Sequence, residues 1–191
     1  MIIRKLFKLN STSYTNPDSL LNEYKASGSL NIGEVYEKYL RSQLQLLNDF
    51  STEVFILKND YRKPSYLLFD RSPMDFYILT KCGIDYIKNA LPINELNDIC
   101  QKLLILIKEN AEYNTELLFN KIIVTPPWNV DENNNSLKDG IRDQYLSKFY
   151  SGENWYNRDK FINLQNCIVY NIDKESTSIE DRLIFIKSLL K

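Results

Sequence analysis

FDRSPMD, residues 69 to 75, ends a short apolar run on a charged pair and follows it with a serine, a proline and a second aspartate. An aspartate at the carboxyl end of a buried strand can hold Mg2+ directly or through water, or orient an attacking hydroxyl, so Asp70 is a candidate metal ligand and catalytic residue. Arg71 carries a fork of donors suited to a phosphate. The same two side chains also serve a plain junction, Asp70 accepting amide hydrogen bonds and Arg71 pairing with a carboxylate. Lys138 and Arg142 lie in DENNNSLKDGIRDQY, a polar stretch that can close over transferring phosphates and neutralise developing charge, or can simply be a solvated loop. Arg158 is an alternative anchor for the same crevice. Arg182 opens the last helical stretch, where it can approach a base or phosphate, or decorate a surface turn.

Composition narrows this chemistry. The chain has 191 residues and no histidine, which removes histidine-based nucleophile systems and histidine-rich metal sites. Chemistry would have to be run by carboxylates, arginine, lysine or a bound hard metal. Net charge is -1, with 26% charged and 43% hydrophobic residues, the balance of a folded protein rather than a strongly basic nucleic-acid binder. KNDYRKPSY at 58 to 66 mixes basic and aromatic residues as single-strand binders do, but no second basic stripe accompanies it. Three cysteines without a CxxC pattern read as buried reduced thiols and predict a cytoplasmic setting. No apolar run reaches the length of a membrane span, and the start lacks the long apolar region and cleavage site of a signal peptide.

The elements that must position these residues follow from periodicity. Ile32 to Phe50 repeats apolar residues every three or four positions and predicts an amphipathic helix. YLLF at 66 to 69, KIIVTPPW at 121 to 128 and NCIVYNID at 166 to 173 read as buried strands. IIRKLFKL at 2 to 9 can supply another. Ser72, Pro73 and Asp75 fit the N-cap, N1 and N3 positions of a helix expected to end near Cys82. Helices are also expected from about Ile93 to Asn110, with Leu96, Ile99, Leu103 and Ile107 on the apolar face, from Gly140 to Tyr150, and from Ile179 to Leu190. Strands alternating with helices predict one α/β domain spanning 1 to 191, a mostly parallel sheet covered on both faces, with a lid-like segment at 131 to 150.

FDRSPMD, IIVTPPW, DGIRDQYLSKF at 139 to 149, CIVYNID and EDRLIFI together resemble the single-domain P-loop kinase-like ATPases, an AAA-type group that includes nucleotide-kinase-like and nicotinamide-riboside-kinase-like domains. The resemblance covers roughly residues 20 to 190. It implies a P-loop NTPase-like fold, with Asp70 as the metal-linked or catalytic aspartate, Arg142 as the lid arginine and Arg182 as the arginine of the last helix. ATP and Mg2+ would be the cofactors wherever the ancestral activity persists, and a small phosphorylated or nucleoside-like molecule the ligand.

The chain departs from that family at its most diagnostic feature. No GK dipeptide occurs, so no Walker A loop is present to wrap phosphates with glycine amides and a lysine. Three readings follow: a Walker A segment precedes Met1 in a longer gene product; the chain is a descendant working as an interaction or regulatory module; or it takes a phosphorylated ligand through altered contacts. The expectation is a divergent or N-terminally incomplete ATP-dependent kinase-family protein without standard phosphoryl transfer in this chain. Its alternative is a non-catalytic module with a protein partner or a second copy of itself, with nucleic acid disfavoured and no membrane partner.

Overall fold

The computed structural model describes residues 16–27, 31–60, 67, 69, 72–124, 168–171 and 179–189. Helices dominate. In chain order they are α1 (Pro17–Ser27), α2 (Ile32–Lys58), α3 (Pro73–Ala90), α4 (Asp98–Leu118) and, after strands β1 (Lys121–Val124) and β2 (Ile168–Asn171), α5 (Ile179–Leu189). The chain divides into two compact units, Met1–Leu118 and Phe119–Lys191.

Local chemistry sets the starts of the helices in the first unit. Asn16 accepts the Asp18 amide at 3.1 Å ahead of Pro17. Asn31 and Glu34 form a reciprocal capping box at α2, the Glu34 amide donating to the Asn31 side chain at 2.9 Å and the Asn31 amide to the Glu34 carboxylate at 2.7 Å. At α3 the Asp75 carboxylate accepts the Ser72 amide at 2.6 Å and the Ser72 hydroxyl at 2.8 Å, while Pro73 takes the position where a missing N–H costs nothing. Asn97 accepts the Cys100 amide at 2.8 Å and starts α4.

The core of this unit is the shared interior of α2, α3 and α4, with α1 against α2 and α3. Its fully buried side chains include Val35, Tyr36, Leu40 and Leu47 from α2, Met74 and Ile87 from α3, and Ile107 from α4. Contacts at the two ends of the helices give their directions. Tyr36, near the start of α2, donates to the Leu91 carbonyl just past the end of α3 at 2.8 Å, and Phe50, further along α2, packs on Phe76 at the start of α3 with ring centroids 5.0 Å apart. These two helices are antiparallel. The Cys100 thiol lies 4.0 Å from the Gly33 carbonyl at one end, and the Lys58 ammonium donates to the Leu117 carbonyl at 3.0 Å at the other, so α2 and α4 run side by side in the same direction. Lys58 also reaches the Leu118 carbonyl at 3.4 Å, satisfying carbonyls that a helix end leaves unpaired.

In the second unit β1 and β2 pair in parallel, Lys121 opposite Ile168 and Val124 opposite Asn171. Lys121 donates to the Leu189 carbonyl at the end of α5.

This architecture corrects the expected fold. The described residues form no α/β domain with a parallel sheet covered on both faces, and no P-loop NTPase-like arrangement: pairing is limited to one four-residue ladder, and the packed core is helical. Leu67 and Phe69, from the run expected to be a central strand, lie outside any strand, and Phe69 packs edge-on against Phe50 of α2 at 6.2 Å. The physical reason is that a four-residue apolar run has no periodicity of its own and fits a connection lying on a helical core as well as a strand. Three helices also differ at their ends, α2 running on past Phe50 to Lys58. Helix α3 continues past Cys82 to Ala90, and the glycine inside it stands where Tyr39 of α2 comes close: a Cβ at Gly83 would fall 1.9 Å from the Tyr39 hydroxyl. Helix α4 starts later and ends later than expected, at the Asn97 cap and at Leu118. The expected strand at 2 to 9, the helix at 140 to 150 and the lid-like segment 131 to 150 lie outside the described residues.

Candidate interaction surface

Asp70, Arg71, Lys138, Arg142 and Arg158 all lie outside the described residues. Arg182 belongs to the backbone of α5, and its side chain is outside them as well. What the structure does place from FDRSPMD is its helix start, with Ser72 and Pro73 buried and Asp75 engaged by Ser72. The second carboxylate of the motif therefore holds the helix start together.

The two described thiols and the hydroxyls of Tyr36 and Tyr77 belong to buried side chains. Burial raises the Cys100 thiol above its ordinary range, with Glu37 adding to the effect and Arg41 opposing it. Such a thiol is a poor nucleophile. Cys82 is a buried thiol that takes part in no disulfide. Burial, followed by the fields of Asp85 and Cys100, pushes the Tyr36 hydroxyl up to about 12, and burial with Glu112 raises Tyr77. Among the described residues no group of three or more histidine, cysteine, aspartate or glutamate side chains could hold a metal ion. None of their helices is long and apolar enough to cross a membrane.

The feature that departs most from a plain folded core is on α4. One stripe of that helix, Cys100, Leu103, Ile107, Ala111, Thr115 and Leu118, is buried against the bundle. A second apolar stripe is not. Ile99, Leu106, Tyr113 and Leu117 are 49%, 42%, 66% and 47% exposed, and their spacing of seven, seven and four residues sets them within a sector of roughly 40° on a helix turning 100° per residue. The stripe is about 27 Å long at 1.5 Å per residue. Exposed Phe55 and Ile56 lie in the last turn and a half of α2, the end that Lys58 ties to the end of α4. Scattered exposed leucines are ordinary, but an aligned row on one helix is the pattern that marks a contact surface.

Sequence reasoning placed Ile99 on the buried face of this helix together with Leu103 and Ile107, and did not single out the second stripe. The signal was present in the seven-residue recurrence of Ile99, Leu106 and Tyr113, which a single-faced helix has no need of.

No protein-family model matches the chain, and neither a curated protein nor a solved structure does. Together with the helical core, this removes the expected membership of the P-loop kinase-like ATPases, and with it the basis for reading the chain as an AAA-type or ATP-binding kinase-like protein.

Proposed function

We propose that the chain is a non-catalytic helical interaction module whose contact surface is the exposed stripe of α4. The observation that carries this reading is the alignment of Ile99, Leu106, Tyr113 and Leu117 on one side of a helix whose other apolar side already fills the core. A helix needs one buried stripe to dock in its own bundle; a second exposed one costs solubility unless something covers it. The supporting chemistry points the same way: burial holds the Cys100 thiol and the Tyr36 and Tyr77 hydroxyls in their protonated forms, which suits packing and not acid–base work.

Site-specific photocrosslinking in cells tests this. A photoreactive phenylalanine analogue at Tyr113 is expected to give an intermolecular covalent adduct with protein, whereas the same analogue at exposed Asn48 of α2 gives none. Absence of any intermolecular adduct at position 113 would remove the reading.

A further inference from the structure

Building on that reading, we infer that the half of the stripe formed by Ile99 and Leu106 is the docking surface for residues 2–9 of the same chain, which leaves Tyr113 and Leu117 to the partner. Pattern, charge and reach select this occupant. On a helix turning 100° per residue, Ile2, Ile3, Leu6, Phe7 and Leu9 fall within about 160°, and Arg4, Lys5 and Lys8 within about 100° on the opposite side. Eight such residues span about 12 Å, against about 10 Å from Ile99 to Leu106.

Residues 1–15 hold those three cations and no acid, the first acid of the chain being Asp18. On α4 the exposed Asp98 and Glu109 stand about 80° and about 60° round the helix from Leu106, on the side away from the buried stripe, with Lys102 the one basic residue beside them. Lys5 and Arg4 border the apolar sector of the segment, one on each side. Whichever way the segment lies along α4, one of them falls by the acidic flank.

The attachment point is at the right end of the bundle. Tyr86, near the end of α3, donates to the Asp18 carboxylate. That end of α3 meets the start of α2 through Tyr36 and Leu91, and α4 starts beside α2 where Cys100 lies 4.0 Å from the Gly33 carbonyl. Asn16 is therefore at the end of the bundle where Ile99 stands. The seven residues from Leu9 to Asn16 reach up to about 23 Å extended, roughly two helix spacings.

The test uses the purified full chain with a photoreactive phenylalanine analogue at Leu106. Cleavage at acidic residues releases residues 1–18 as one piece, and the expected adduct joins that piece to α4 within one chain. Mixing light and heavy-isotope chains tells such an adduct from one between two copies. Phe7→Glu, which strikes the apolar sector, should cut the yield by about fivefold or more, and so should Arg4→Glu/Lys5→Glu/Lys8→Glu, which leaves that sector intact. No adduct with residues 1–18 overturns the inference. So does an adduct formed only between copies, or one that either variant leaves unchanged. Position 113 reports separately on the module reading. An adduct with a partner at 113 and none with residues 1–18 at 106 overturns this docking while the module reading stands, and the reverse result keeps the docking and removes the module.

Discussion

Tyr36 combines complete burial, a hydrogen bond to the Leu91 carbonyl and a hydroxyl whose ionisation burial resists. Removing that hydroxyl in Tyr36→Phe leaves the carbonyl without this donor and should cost about 1 kcal/mol in urea denaturation at neutral pH. The pH dependence has a definite sign. A tyrosine whose folded pKa lies above its unfolded value keeps its proton in the folded state while the unfolded chain gives it up, so folding weakens as pH rises from 10 towards about 12 and the contribution is fully present below 10. Alkaline unfolding should therefore be less steep in Tyr36→Phe. Cys100 and Tyr77, raised in the same direction, keep part of it. An alkaline limb identical in both proteins would show that Tyr36 does not couple to folding. The three-and-four spacing of α2 places Tyr36 on its buried stripe, but no sequence pattern names its partner, the end of a different helix 55 residues away.

The helices were legible where a repeat and a cap agreed. Helix α2 begins where the three-and-four spacing and the Asn31–Glu34 pair both place it, and α3 starts on the Ser72–Pro73–Asp75 pattern. Its continuation to Ala90 was not legible, because the reason for Gly83 lies on α2. A glycine inside a helix ordinarily costs about 1 kcal/mol against alanine. Here Gly83→Ala should be destabilising in spite of that gain, by a net ~1–3 kcal/mol, since the new Cβ meets the buried Tyr39 hydroxyl at 1.9 Å and its ring carbon at 2.4 Å. Thermal denaturation checks this; an alanine variant as stable as the parent would mean that Tyr39 swings aside freely. The fold class was misread for a related reason. Short runs such as YLLF carry hydrophobicity without period, so the resemblance to a nucleotide-binding sheet rested on order and spacing of ambiguous segments, while the informative period on α4 was counted as one stripe instead of two.

At the scale of the molecule, the division after Leu118 has its own consequence. The first unit holds the buried residues of α1 to α4, the capping groups that start those helices and the lysine that closes two of them. Residues 1 to 118 expressed alone should retain a helical circular-dichroism spectrum and a single cooperative urea transition. A gradual, non-cooperative loss of signal would show that the core needs the rest of the chain.

The parallel course of α2 and α4 brings two helix ends of the same kind together. Aligned peptide groups give each helix roughly half a positive charge at its start and half a negative charge at its end. The beginnings of α2 and α4 carry Glu34 and Asp98, and their shared end carries Lys58, each of the sign that offsets the local field. One lysine thus answers two negative helix ends at once, so neutralising it would leave those two ends repelling each other.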